Sequence, residues 1–518
     1  MTPAEVQLLP PNVQRFIEIK VAENARLEQL LKLREEQIRL LLIKHFGPKA
    51  DKLSPNQLNL LQGELIASAP EVEKEAELPE AAKQEIPKAR KPRPNHPGRA
   101  EFPESLERRE VVIPCHPADC HCPKCGQERP VIGYETREEL GMEPVKFFVN
   151  VIKREKRGSH CQEEQGVAVA PAPEQIAPKS KLSDAFIIEV MAAKFQQHQP
   201  IYRQCAILLE NHGIDLSRAT LNNAILSAAA LLVPVAAAMA AALKIEDYIQ
   251  ADETTVPCQD PGTKGKNHRA YLWEYSKPGG EVVFQFEWGR SRAGPKQFLE
   301  GFKGILQSDG YSAYDKLGDG ITYLACMAHI RREFVDAAKL APEDPIPREL
   351  VGNFGELYSI ERKAKEEGLD AAGRQALRQK ESKPLMASLK TRLVEVRQGA
   401  TPSSQIAKAC DYALGQWGRM EVYLEHGRVE IDNNWCEGAM RPIALGRKNW
   451  LHIGDASAGP KIAAIISVVE TCRRLDIPLR DYLSAILPKL GKWPITRVAE
   501  LTPTAWKAAK AAPKTAGL

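Results

Sequence analysis

The chain has no strong excess of one charge. Across 518 residues, 71 Lys and Arg stand against 67 Asp and Glu, a net of +4. That excludes a uniformly basic molecule, so any nucleic-acid contact has to rest on local patches. The opening MTPAEVQLLPP lacks the basic and apolar regions of a secretion signal, and cytoplasmic residence is expected. The 11 cysteines do not form a small disulfide framework; four crowd between Cys115 and Cys125. In a chain this long, such crowding points to a reducing compartment and a metal. Ile225 to Leu243 is uncharged and about as long as a spanning helix. It is mostly Ala and Pro234 interrupts it, so a buried helical connector is expected rather than a membrane span. The length implies several domains, and the apolar share of 43% is ordinary for globular protein.

The pattern inside those bounds is uneven. Residues 12–45 are charge-laced and helical, with Val13, Ile17, Lys20, Asn24, Leu27, Leu31, Arg34, Ile38 and Leu41 at alternating four- and three-residue steps. That is an imperfect heptad seam, and a self-associating coiled coil is expected. Residues 67–99 turn from acidic to basic and are rich in Pro, as a disordered linker is. Cys122 and Cys125 then form a C-x2-C knuckle followed by Gly126, suited to tetrahedral zinc. From Lys181 the chain reads helix, Gly213, short turn, helix, with Ser217 or Thr220 as the cap of the second helix. A helix-turn-helix of this kind can place its second helix in a major groove, and Arg218, Asn222 and Asn223 are the side chains expected to reach DNA.

The stretch from Tyr248 to Tyr314 organises the rest. DYIQADETTV, HRAYLWEYS and EVVFQFEW alternate in period two, as half-buried strands do. Gly279-Gly280 closes a turn between the second and third, a short helix follows near Pro295, and GILQSD is a fourth strand ending in Asp309. If the first and fourth strands are brought together, Asp252 and Asp309 lie side by side. Two such carboxylates repel unless a divalent cation joins them, and hard oxygen ligands suit magnesium or manganese. Most Asp residues of this kind are merely turn or strand-end residues.

A third acid comes far downstream in EIDNNWCEGAMRPIALGRKNW. Asp432, Asn433 or Asn434 can cap a helix bearing Glu437 in its first turns, although Asn434 to Glu437 also has the spacing of a capping box. Arg447 and Lys448 are expected near the same end, a cationic context for phosphates. Between Asp309 and Glu437 lie polar, Lys-, Arg- and Glu-rich helices, an all-α insertion within the core. AAIISVVETCRRL and LRDYLSAIL form a last helical block, expected behind the Glu437 helix, and a fraying tail is expected after Pro494.

ADET, SDGY, CMAHIRR and DNNWCEGAMRPIALGRKNW, in that order, resemble the signature blocks of insertion-sequence-66 family transposases. The resemblance runs from about residue 12 to 490. It implies a multidomain α/β protein whose catalytic core is a ribonuclease-H-like mixed sheet with an all-α insertion, preceded by a coiled coil, a zinc-ribbon-like module and a helix-turn-helix. It assigns Asp252, Asp309 and Glu437 to an acid triad that holds two Mg2+ or Mn2+ ions. Arg331 and Arg332, beside His329, take a supporting phosphate role. The family's second C-x2-C pair falls at His160 and Cys161, where a fourth ligand is missing from the pattern. His160, Cys115, His116, Cys120 and His121 all remain open as its replacement in a zinc site with Cys122, Cys125 and Cys161. Two strands, GYETREEL and VKFFVNVIKRE, are expected between the pairs.

The expected organisation is a helical region over 1–66, linker 67–99, ribbon-like module 100–175, helix-turn-helix region 180–245, first core part 246–340, insertion 341–428, third-acid helix 429–460, C-terminal helices 461–494 and flexible tail 495–518. The implied activity is metal-dependent cleavage and strand transfer at terminal inverted repeats. The implied partners are double-stranded DNA, further copies of the chain and accessory proteins of the same element, in a nucleoid-associated cytoplasmic setting without a membrane. The alternatives are a ribonuclease-H-like nuclease or resolvase that does not join strands, and an inactive DNA-binding remnant.

Overall fold

The computed structural model describes residues 10–46, 146–158, 167–170, 173–260 and 266–511. Met1–Gln62 with Ala170–Leu518 form one compact unit, and Gly63–Val169 a second. The linker, Cys122, Cys125, His160 and Cys161 lie outside the described residues. Helix α1 spans Pro11–Phe46. In the second unit, β1 (Lys156–Gly158) pairs antiparallel with β2 (Val167–Val169), Arg157 facing Ala168. The strand expected over VKFFVNVIKRE is not formed: residues 146–155 have no regular structure, and Phe148, Val149 and Val151 are exposed. A strand needs a paired neighbour, and among the described residues of this unit only β1 and β2 pair.

In the first unit α2 (Asp184–Phe195), α3 (Ile201–His212) and α4 (Arg218–Lys244) precede the sheet. Gly213 ends α3 at φ 64, and its N–H and that of Ile214 close onto Leu209 and Leu208, a left-handed cap that glycine adopts without strain. Ser217 Oγ accepts the Thr220 N–H to start α4. The apolar run after Ile225 is helical, as expected, and continues α4 through Pro234. The carbonyl that loses its N–H partner to Pro234 belongs to exposed Ala230, which meets water. α4 is long and apolar enough to cross a membrane, yet it carries Leu221, Ile225, Leu232, Val235 and Met239 fully buried in the core.

The sheet has five strands: β3 (Tyr248–Gln259), β4 (Asn267–Ser276), β5 (Val282–Glu287), β6 (Gly304–Ser308) and β7 (Ile321–Ala325), in the order β5-β4-β3-β6-β7. The first three meander antiparallel, and β3–β6 and β6–β7 are parallel. Gly279 at φ 68 turns β4 into β5, with Gly280 N–H on Lys277 O. Helix α5 (Ala293–Phe298) crosses from β5 to β6. The expected half-burial of β4 is incomplete: Trp273 and Tyr275 are buried on one face, but Leu272, Glu274 and Ser276 are buried on the other.

Helices α6 (Met327–Leu340), α7 (Pro345–Glu366), α8 (Ala371–Leu377), a π-helical turn Arg378–Ser382, α9 (Lys383–Gly399), α10 (Gln405–Gly415) and α11 (Trp417–Glu425) follow β7. They enclose a second apolar core around Phe334, Phe354, Leu393 and Met420, which meets the sheet at Tyr248, Ile305 and Leu324. The chain then forms α12 (Asn434–Asn449), α13 (Gly459–Arg474), α14 (Leu479–Leu490) and α15 (Pro503–Ala511). Residues 495–511, expected to fray, are helical, because Leu501 is buried and Trp506 meets Tyr482 edge-on. Helix α13 does not sit mainly behind α12: its chief neighbours are β5 and α4.

The reason is the open edge of the sheet. Val282 N–H donates to Thr471 Oγ1 at 2.9 Å and Phe284 N–H to Ser467 Oγ at 2.8 Å, so two hydroxyls of α13 satisfy the strand N–H groups that no strand pairs. Ser467→Ala removes the Phe284 partner in a fully buried place. It is expected to lower unfolding free energy by about 1–3 kcal/mol, read from denaturant melts.

Candidate active site

The register brings the first two acids together. Gln250 of β3 is paired with Gln307 of β6, and on these parallel strands Asp252 and Asp309 each lie two residues further on. Both therefore leave the same face, Asp252 from within β3 and Asp309 just past the end of β6, on strands about 4.8 Å apart. The Asp252 carboxyl accepts Glu253 N–H at 2.8 Å, and the Asp309 carboxyl accepts Tyr311 N–H at 2.9 Å. Gly310, between Asp309 and Tyr311, sits at φ 86, a left-handed conformation that glycine adopts without strain. Tyr412 of α10 donates to the Asp309 carbonyl.

Glu437 is delivered by the two glutamines. Gln250 Nε2 faces three oxygens: Gln307 Oε1 at 2.8 Å, Tyr248 OH at 2.9 Å and the Asp432 carbonyl at 2.8 Å. Gln250 Oε1 accepts Cys436 N–H at 3.3 Å, and Gln307 Nε2 donates to the Glu430 carbonyl at 3.1 Å. The segment entering α12 is thus tied to both acid-bearing strands beneath the carboxylates. The sequence carries a signal for this that the reading missed: Q-x-D occurs in both IQAD and LQSD. The capping box is not formed. Asn433 is the N-cap without a side-chain bond, and Asp432 instead accepts Asn434 N–H. Glu437 is left without a capping bond: its Oε1 is buried without a hydrogen bond, 3.6 Å from His329 Nδ1, and its Oε2 is 3.8 Å from Arg332.

The electrostatics register the gathering of acids. Burial, then Glu253, Asp309 and Glu437 together push the Asp252 carboxyl up to about 8. The oxygens of Asp252, Asp309 and Glu437 do not all fall within 4.8 Å of one another; among the described residues that spacing is met by Cys326, His329 and Glu437. Burial pushes the Cys326 thiol up to about 12, and it accepts Asn433 N–H, so it suits a packing role better than a thiolate ligand. The buried, unpartnered Glu437 Oε1 and the Asp252 and Asp309 carboxylates are hard oxygen donors of the kind a divalent cation takes, and Glu437 has to move closer to the two aspartates to share one ion with them.

A test follows from the crowding. The folded Asp252 carboxyl keeps its proton to higher pH than the unfolded one. Its contribution to stability is full below about pH 4 and fades as pH rises through about 8. Asp252→Asn is expected to raise metal-free stability at neutral pH by about 1–2 kcal/mol, and to abolish the rise in melting temperature expected of the parent chain on adding Mn2+. Calorimetry with and without Mn2+ reads both.

The other expected site residues are distributed differently. Arg447 and Lys448 sit in the last turn of α12, opposite Glu437 and about 15 Å along the helix. They are not near the same end. Arg447 is held to β3, donating to Thr255 O at 3.1 Å and Thr255 Oγ1 at 2.5 Å. Arg332 is exposed beside Glu437, whereas Arg331 is half-buried, with its Nε buried and without a hydrogen-bond partner. Arg218 and Asn223 are exposed in the first turns of α4, and Asn222 is half-buried.

Sequence reasoning also missed Glu274 and Glu253. Glu274 lies opposite Asp252 across β3–β4, fully buried, with Arg474 3.6 Å away. Burial drives its carboxyl well up, against Arg474. A charged residue inside YLWEY was the available signal.

The family model described as Transposase IS66 family matches residues 179–461, and one described as Transposase C of IS166 homeodomain matches residues 34–111. Among relatives, the Sinorhizobium fredii protein y4hP is 32% identical over 485 residues, covering 88% of this chain and 85% of its own. A second S. fredii protein, y4qI, is 31% identical over 517 residues, covering 94% of this chain and 92% of its own. With the model match spanning more than half the chain, the protein belongs to the IS66 family of transposases.

Proposed function

We propose that this chain is a transposase that cleaves the ends of its element and joins them to target DNA, with Asp252, Asp309 and Glu437 as the acid triad of a ribonuclease-H-like core. The observation that carries the reading is the register that sets Asp252 and Asp309 on adjoining strands, with Gln250 tying the entry of the Glu437 helix to them. The strand order and the parallel β3–β6 pair support the core assignment. Bound between the carboxylates, two Mg2+ or Mn2+ ions would supply Lewis-acid activation and neutralise charge on the phosphodiester.

The chain's own groups do the rest. Gln250 and Gln307 hold β3, β6 and the α12 entry in register, and this fixed geometry is where most of the rate comes from. Arg332 beside Glu437 stabilises phosphate charge. Arg218, Asn222 and Asn223 at the start of α4 contact the terminal repeats, with Arg331, Arg447 and Lys448 as further cations on the DNA path. The heptad seam of α1 supports pairing of two copies, since Leu27, Leu31, Ile38 and Leu41 are exposed along it. Cys122, Cys125, His160 and Cys161 form a candidate zinc site, which metal analysis of the purified chain tests.

The decisive assay uses duplexes carrying the element's own ends with Mn2+ or Mg2+. Metal-dependent nicking followed by joining of the freed 3′ end to a second duplex is expected. Nicking without joining would assign the chain to the nucleases or resolvases, and neither activity would leave a DNA-binding remnant.

A further inference from the structure

A fourth carboxylate stands beside the acids, yet it is fully used. Glu253 Oε1 takes both Arg290 Nε, at 2.8 Å, and Arg290 Nη2, and Glu253 Oε2 accepts Tyr314 OH at 2.8 Å. Its side chain is 2% exposed, and both of its oxygens are engaged. What it does is fix a cation. The Arg290 guanidinium lies 3.8 Å over the ring of Tyr311, whose OH donates to the Arg290 carbonyl and whose N–H binds Asp309. Arg290 is therefore locked from one side by the neighbour of Asp252 and from the other by the loop of Asp309. Its side chain remains 45% exposed, and among the described residues its Nη1 makes no hydrogen bond.

We infer that Arg290 is a phosphate clamp, contacting the DNA backbone one step from the scissile bond through Nη1. A carboxylate-lined site repels the polyanion it must hold. A planar, pre-oriented guanidinium at its rim supplies attraction and alignment together, with little side-chain freedom left to lose on binding. Arg290 is a substrate-contacting residue in this role, and Glu253 and Tyr311 are its positioning residues. The inference rests on the triad reading above.

The test uses the full chain and a duplex carrying the element's ends, with binding followed by anisotropy across a salt series and nicking followed with Mn2+. Arg290→Ala is expected to lower the slope of log affinity against log salt by about one, the loss of one phosphate contact, and to slow nicking tenfold or more. Arg290→Lys is expected to keep the slope and still nick slowly, because a point charge does not reproduce the stacked fork. The double variant E253Q/R290Q removes both charges and leaves no unpaired carboxylate, so it is expected to remain as defective as Arg290→Ala. Recovery of the parent slope and nicking rate in the double variant would mean that Arg290 merely neutralises Glu253, and would overturn the clamp. So would a parent-like slope in Arg290→Ala. If the parent chain nicks nothing, the triad reading falls, and the salt series still decides Arg290.

Discussion

Asp309→Asn is expected to abolish strand nicking, by about 1,000-fold or more, while binding of the element's ends changes less than about twofold. The substitution keeps the shape and the acceptor for Tyr311 N–H, so the loop and its Gly310 turn stay in place. It removes one charge from a site that depends on charge. Chemistry is lost without loss of recognition, because the groups assigned to DNA recognition on α4 lie on a different element. An Asp309→Asn chain that still nicks at a tenth of the parent rate would remove Asp309 from the triad.

The second large effect is expected far from the acids. Arg378 is 1% exposed and sits in the π-helical turn of the insertion. Its guanidinium grips Glu361 with two 2.7 Å bonds and donates to the carbonyls of Tyr423, His426 and Val429. These carbonyls belong to the segment leading to Glu430 and α12, so one side chain fixes the return path of the third acid. Arg378→Ala leaves a buried carboxylate and three carbonyls without this partner. It is expected to cost about 3–5 kcal/mol and to depress nicking even below the melting transition. Burial pushes Glu361 up, but Arg378 and Arg374 together hold it below the usual carboxylate range. Its contribution is present above about pH 4.3 and is lost as pH falls through the lower folded value. The parent chain should therefore lose this stability in acid, and Arg378→Ala should show a flatter acid limb. Calorimetry with a pH series reads both. A variant as stable as the parent would show that the insertion does not depend on this contact.

How much of this was legible in the sequence depends on the range of the interaction. Local rules reached the meander from Tyr248 to Glu287, the Gly279 turn, the break at Gly213 and a cap at Ser217 or Thr220, because each is set by residues a few positions apart. The pairing of β3 with β6 was reachable only as a condition, since parallel register is fixed by a crossover and by buried side chains. Order was missed at the C-terminus, where Leu501 and Trp506 find partners in α14. The position of Arg447 was misjudged because a 16-residue helix separates its ends in space while sequence shows only proximity. The Glu253–Arg290–Tyr311 assembly joins three loops and strands, and no periodicity in one segment reveals it.

The central claim is that three acids remote along the chain share one divalent-ion site. Anomalous diffraction from crystals soaked in Mn2+ measures it directly. The expected result is manganese density bonded to carboxylate oxygens of Asp252, Asp309 and Glu437, at about 2.1 Å. Manganese bound elsewhere, or bound to the two aspartates with Glu437 turned away in every crystal form, would contradict it.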